Sequence, residues 1–142
     1  MKAAAIGLTL LALPADAWEF TPSTPCLLTH ETGEVAVELT YDPTAPLYSI
    51  SLTQKTPFDP APIFSMRFNG PFPLAISTDQ HRLSNGGRTL TVVDQGFGNV
   101  LNGLQFNDTA VATLGARYVP IPLKDAADAV AAFRACDVVP TT

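Results

Sequence analysis

The stretch that decides the fold is Glu34–Gln54, EVAVELTYDPTAPLYSISLTQ. Apolar and polar residues alternate through its two halves, Glu34–Tyr41 and Leu47–Gln54, and a period of two places successive side chains on opposite faces of a strand. The segment Asp42–Pro46 between the halves has the composition of a turn. The stretch therefore predicts two strands that each have one buried and one solvated face.

Similar short segments continue on both sides of this stretch, and the thirteen prolines of the chain separate them. The residues Ser84–Gly87 carry a strong hairpin signal, because glycine reaches positive φ without steric cost. The further strands that we predict are Cys26–His30, Ile63–Asn69, Leu74–Thr78, His81–Leu83, Arg88–Asp94, Thr109–Leu114 and Arg117–Leu123. Because Pro120 and Pro122 cannot donate to a ladder, the last of these is expected either to lie at a sheet edge or to turn its side without donors outward.

Two helices complete the expected architecture. Asn99–Phe106 has apolar residues at helical spacing, although Gly103 weakens it by about 1 kcal/mol relative to alanine. The second helix begins near Asp125, which we predict as its N-cap, and buries one face that consists of Ala126, Ala129, Val130 and Phe133. The predicted fold class is mainly β: an antiparallel β-sandwich or open barrel of about eight short strands, with the C-terminal helix packed on the sheet.

The first 17 residues have the pattern of a cleaved signal peptide. Lys2 supplies a positive charge, Ala3–Leu13 is uncharged and apolar, and Ala15-Asp16-Ala17 offers a small-x-small cleavage pattern. The apolar run is too short to span a bilayer, which needs about 20 residues. We therefore expect a signal peptide at residues 1–17, one β-rich domain at 18–142, and a periplasmic or secreted location.

The two cysteines are consistent with an exported protein. Cys26 lies near the start of the expected mature chain and Cys136 near its end. In an oxidising compartment an even pair is most simply one disulfide, and no Cys-x-x-Cys spacing indicates redox catalysis. We predict a Cys26–Cys136 bond that ties both ends of the domain together.

The composition argues against two classes of partner, and one tripeptide matches only part of a cofactor-binding pattern. The net charge is −5 with eight Lys and Arg residues, so neither nucleic acid nor an anionic membrane is expected as a partner, and no membrane span is predicted. Gly96-Phe97-Gly98 follows a strand and precedes a helix, as in a dinucleotide site, but the third glycine of that pattern is replaced by Leu101. We interpret the glycines as permitting a sharp turn with Phe97 as a core plug, and expect no cofactor.

Candidate chemistry centres on three residues. Asp79 and His81 share a face if they lie on a strand, and with His30 they could form a metal site or serve a small hydrolase. The alternative, which we favour, is that both histidines are surface residues near turns, with no catalytic role. Asn107-Asp108-Thr109 matches a glycosylation pattern and is interpreted as a turn.

The aromatic residues Trp18 and Phe20 are the least explained by periodicity. Either they pack across the open end of the sheet, or they form an exposed patch that contacts a partner.

The second half of the chain resembles a known group in its layout. A short Leu-bearing helix, the strand Thr109–Leu114, the stretch Tyr118–Leu123 (YVPIPL) and an Ala-rich helix resemble the C-terminal half of the invasion-associated locus B group of small secreted bacterial proteins. The Gly-Phe step of that group is replaced here by Asp125-Ala126. The resemblance implies a β-sandwich or barrel-like envelope protein without established catalytic residues.

The sequence thus predicts a non-enzymatic module that binds another envelope protein or a small apolar ligand. Two alternatives remain open: a small hydrolase or metal-dependent enzyme that uses Asp79 and His81, and a structural or stress-related envelope protein.

Overall fold

The computed structural model describes residues 17–136, which contain ten strands and two helices. Residues 1–16 and 137–142 lie outside the described residues, so nearly all of the predicted signal peptide lies outside them. The strands are β1 (Glu19–Thr21), β2 (Cys26–Glu31), β3 (Val35–Asp42), β4 (Leu47–Gln54), β5 (Phe64–Asn69), β6 (Leu74–Thr78), β7 (Arg82–Ser84), β8 (Thr89–Asp94), β9 (Thr109–Leu114) and β10 (Arg117–Pro122). The helices are α1 (Gly98–Phe106) and α2 (Ala127–Ala135).

The strands form two antiparallel sheets. One has six strands in the order β1-β2-β3-β4-β8-β7, and the other has four in the order β10-β9-β5-β6. The inner faces of both sheets contribute to one hydrophobic core, which the two helices complete. The predicted mainly β, sandwich-like class is confirmed, and the proline-bearing strand β10 lies at a sheet edge as expected.

The alternating stretch behaves as its pattern predicts. Val35, Val37 and Leu39 are buried on β3, and they pair across to β4 in a register that sets Leu39 opposite Ile50. On the solvated face, hydroxyl groups pair across neighbouring strands, as in the hydrogen bond of 2.6 Å between Thr40 and Ser49. Such cross-strand pairs add to the stability of the sheet. A one-residue slip in register would also expose the apolar face, so the register is strongly specified.

Strand β1 was not predicted from the sequence. We expected Trp18–Pro25 to be a lead-in without regular structure, yet Glu19–Thr21 pairs with β2, with Phe20 opposite Leu28. Three residues are too few to show periodicity in the sequence, and the strand is recognised only by its pairing with β2 at the edge of the sheet.

The predicted Cys26–Cys136 disulfide is present. It joins the first residue of β2 to the residue after α2, with Cα atoms 6.4 Å apart and a sequence separation of 110. Closing a loop of that length removes about 4–5 kcal/mol of chain entropy from the unfolded state. Helix α2 contacts β1 and β2, so the bond fastens it to the sheet.

The predicted N-cap of α2 is wrong. Asp125 has a left-handed backbone with φ of 61°, and the helix begins at Ala127 after the buried Ala126. The predicted buried face is correct for Ala126, Val130 and Phe133, which are each at most 1% exposed, whereas Ala129 is half-buried against the core. The buried Ala126 occupies the N-cap position, and no side chain bonds to the start of the helix there.

Helix α1 lies close against the four-stranded sheet. Gly103 is buried, and a Cβ atom there would collide with the ring of Phe68 on β5. Asn107 ends the helix, and its buried side chain bonds both the backbone N–H and the C=O of Phe72, at 2.9 and 2.8 Å. Glycine and asparagine thus fix the distance between α1 and the sheet.

Candidate functional site

A cleft of about 440 Å³ opens between the two sheets beside the start of α1. We call it the lateral cleft. Its walls come from strands β4, β5, β6 and β8, and its mouth from the segment that leads into α1. The lining residues are Ile50, Phe64, Met66, Ile76, Ser77, Thr78, Val92, Asp94, Gly96, Phe97, Gly98, Asn99 and Val100.

The registers of the two sheets explain the apolar walls. Ile50 on β4 lies opposite Val92 on β8, and Met66 on β5 lies opposite Ile76 on β6. All four side chains belong to the inner faces of their sheets, but Ile76 and Val92 are only half-buried. They remain accessible because β6 is a sheet edge and β8 is followed in its sheet only by the three-residue strand β7. The sheets therefore present apolar core side chains to a ligand-sized space.

The Gly96-Phe97-Gly98 segment forms the mouth, but not for the reason that the sequence suggested. Phe97 is 4% exposed and fills the core as predicted. Neither Gly96 nor Gly98 has a positive φ, and a Cβ atom at either position would meet nothing within 4 Å. The turn thus does not require glycine at these two positions; the lack of side chains instead leaves the mouth wide.

The polar groups of the cleft lie at its rim. Asp94 is exposed, and its carboxylate accepts a hydrogen bond of 2.6 Å from the backbone N–H of Gln95. Ser77, Thr78 and Asn99 add hydroxyl and amide groups. Asp94 is the one acidic or basic residue among the lining residues of the described chain, so the rim offers hydrogen bonds and a single negative charge.

Asp79, His81 and His30, which we considered for a metal or hydrolase site, do not form one cluster in the structure. His81 lies between β6 and β7, and its Nε2 donates to the carbonyl of Ala61 at 2.8 Å, because a carbonyl can only accept. Asp79 is exposed and accepts from the side-chain amide of Gln80 at 2.8 Å. Within residues 17–136 no three His, Cys, Asp or Glu side chains are grouped so that they could hold a metal ion. Asp79, His81 and His30 are therefore not assembled into a metal site.

The expectation that His30 is a surface residue is wrong. It is 3% exposed and lies on the inner face of β2, where its ring stacks on Trp18 with centroids 4.5 Å apart. The Trp18 indole is 7% exposed and donates from Nε1 to the carbonyl of Pro122 at 3.1 Å. Phe20 is half-buried against the core. Trp18 and Phe20 thus pack across the end of the sheets, the first of the two arrangements that we considered for them.

Asn107 has a structural role, the anchoring of the end of α1, that the sequence did not reveal. We interpreted it as part of a turn, yet it is 7% exposed and its amide also donates to the carbonyl of Gly103 at 3.1 Å. A lone asparagine at the end of an apolar helix carries no pattern that would distinguish an anchoring amide from a turn residue.

Comparison with protein-family models, curated proteins and solved structures gives no match. No helix within the described residues is long and apolar enough to cross a membrane.

Proposed function

We propose that this protein is an exported, non-enzymatic binding module that takes a small apolar ligand in the lateral cleft. The observation that carries the proposal is the cleft itself: about 440 Å³ of space against apolar side chains that belong to the core. Small-molecule sites typically measure about 300–1,000 Å³ and combine apolar walls with a few polar groups.

The chemistry of the lining favours binding over catalysis. Nucleophilic and acid–base catalysis need a nucleophile or acid within hydrogen-bond reach of a base. The lining contains no histidine, cysteine or lysine, and its one carboxylate, Asp94, is exposed at the rim. The residues Asp79 and His81, on which the enzyme alternative depended, do not line the cleft.

The same lining defines the class of ligand. An apolar body would contact Ile76, Val92 and Val100, which are each half-buried and would lose further exposed surface. Each Å² of apolar surface removed from water contributes about 25 cal/mol. Because Asp94 is the charged group at the rim, we propose a ligand whose polar end is neutral and hydrogen-bonding rather than anionic.

The test is a titration with N-phenyl-1-naphthylamine, a neutral apolar dye whose fluorescence rises in apolar surroundings. The wild-type protein is expected to bind it saturably, with a Kd on the order of micromolar. Replacing Gly98 by leucine fills the mouth of the cleft, where the structure leaves open space. We expect this variant to bind the dye at least ~10-fold more weakly, since about 1.4 kcal/mol of lost binding is tenfold.

Gly33 provides a matched control. A Cβ atom at Gly33 also meets nothing within 4 Å, and this residue does not line the lateral cleft. Gly33→Leu is expected to bind the dye as the wild type does, and thermal melts establish that both variants fold. Absence of saturable binding to the wild type, or equal affinity of the Gly98→Leu variant, contradicts the proposal.

Export is the second part of this proposal. The signal-peptide pattern of residues 1–17 and the disulfide support a periplasmic or secreted protein, as does the layout that resembles the invasion-associated locus B group. N-terminal sequencing of the exported protein is expected to begin at Trp18. Recovery of a chain that still begins at Met1 would show that cleavage does not occur.

A further inference from the structure

A second pocket, of about 420 Å³, lies at one end of the sandwich. We call it the end pocket. It lies where β3 begins, β4 ends and β10 begins, and it shares no lining residue with the lateral cleft. Its lining residues are Gly33, Glu34, Gln54, Lys55, Thr56, Arg117 and Tyr118.

Gln54 is the central residue of the end pocket. It continues the inner-face series of β4 after Ile50 and Leu52, but places an amide where the series predicts an apolar side chain. Gln54 is 9% exposed, and its amide nitrogen is buried without a hydrogen-bond partner in the described chain. Buried donors are nearly always paired, because an unpaired one costs about 1–3 kcal/mol. This amide is therefore a donor that a ligand could pair.

Arg117 provides a second donor of the same kind. Its Nε atom is also buried and has no hydrogen-bond partner within residues 17–136. Guanidinium groups donate only, and their fork geometry matches a carboxylate. Gln54 and Arg117, which come from different sheets, thus both line the end pocket, and each has a buried N–H group without a hydrogen-bond partner in the described chain.

The other lining residues of the end pocket further restrict the chemical class of its ligand. Lys55 adds a positive charge, so Lys55 and Arg117 outweigh the single carboxylate of Glu34 in a chain whose net charge is −5. Tyr118 is 70% exposed and offers its ring beside the pocket. Aromatic faces pack against sugar rings, and the Glu34 carboxylate can accept hydrogen bonds from hydroxyl groups.

We infer that the end pocket binds a small hydroxylated carboxylate of the sugar-acid class. The carboxylate accepts from Arg117 and Gln54, the hydroxyl groups donate to Glu34, and the ring lies against Tyr118. This inference does not depend on the function proposed for the lateral cleft, since the two sites share no residues.

The test is an NMR titration of the isotope-labelled protein with D-glucuronate, D-glucose and inorganic phosphate at neutral pH. Glucuronate is expected to shift the side-chain N–H signals of Gln54 and Arg117, with a Kd on the order of millimolar. Arg117→Gln is expected to weaken binding about tenfold or more, because hydrogen bonds to charged groups are among the strongest. Lys55→Gln, at an exposed position, is expected to weaken it several-fold.

Arg67→Gln is the matched control, because Arg67 is exposed on β5 and lines neither the end pocket nor the lateral cleft. This variant should bind glucuronate as the wild type does. Absence of shifts at Gln54 and Arg117 overturns the inference. So do equal shifts with glucose, which would show that the charge is not used, or with phosphate, which would show that any anion is accepted. Equal weakening by Arg67→Gln would also overturn it, because the effect would then come from net charge alone.

Discussion

Replacing Gly103 by alanine tests how closely α1 approaches the four-stranded sheet. The added Cβ would lie under 3.0 Å from three ring carbons of Phe68. Phe68 has no exposed surface, so its ring cannot turn toward solvent to make room. In a helix interior, Gly→Ala is otherwise favourable by about 1 kcal/mol. The structure therefore predicts a destabilising outcome for a substitution that helix propensity alone would favour.

The expected magnitude follows from the two opposing effects. Overpacking of a buried site costs about 1–3 kcal/mol, and the collision with a fully buried ring places this site at the upper end. After subtraction of the gain in helix propensity, we expect the free energy of unfolding to fall by about 1–2 kcal/mol. Gly98→Ala is the control, because it lies in the same helix with open space around it and should be neutral or slightly stabilising.

Urea unfolding followed by far-UV circular dichroism measures these changes as shifts in midpoint at constant slope. A Phe68→Leu background should relieve part of the collision, so the two substitutions should couple favourably by about 0.5 kcal/mol or more. A Gly103→Ala variant as stable as the wild type would refute the packing argument. Strict additivity with Phe68→Leu would refute the identity of the contact.

Three further predictions concern the ends of the domain and its turns. Trp18→Ala should lower the free energy of unfolding by about 3–5 kcal/mol. Trp18→Phe loses the hydrogen bond to Pro122 but keeps an aromatic ring, so it should lower the free energy of unfolding by about 1–3 kcal/mol. Equal losses for the two variants in urea unfolding would contradict the stacked arrangement. Asn107→Leu removes the three hydrogen bonds from the Asn107 side chain to the backbone of Phe72 and Gly103, and it should cost at least about 2 kcal/mol in the same assay. An unchanged midpoint would contradict the anchoring role. The pKa of Asp42 lies below its ordinary value of 3.8 because the Thr44 hydroxyl and then the Thr44 N–H donate to its carboxylate. Its stabilising effect is thus present above the unfolded-state pKa and is lost as the pH falls through the folded-state pKa. Thr44→Ala should raise this pKa in an NMR titration, and an unchanged value would contradict the assigned cause.

The strands with clear alternation could be predicted because their pattern and their burial have the same cause. Val35 and Leu39 are apolar because they face the core, and that spacing is visible in the chain. Strand β1 and the start of α2 could not be predicted in the same way. The first depends on an edge that β2 provides, and Asp125 has a good capping side chain but a left-handed backbone.

The lateral cleft could not be predicted, because its walls depend on sheet order. Val92 reaches Ile50 only because β8 pairs with β4, although three strands intervene between them in the chain. Gln54, in contrast, was accessible to sequence reasoning. It falls on the inner phase of an alternating strand, and a polar residue in that phase is the signal that indicates a buried polar site.

The most direct measurement of the central proposal is the set of intermolecular nuclear Overhauser effects between N-phenyl-1-naphthylamine and the methyl groups of the protein. Binding in the lateral cleft predicts contacts from the dye to the methyl groups of Ile76, Val92 and Val100. Contacts confined to methyl groups outside the lateral cleft, or none at saturating dye, would contradict the proposal that the space between the sheets is a ligand site.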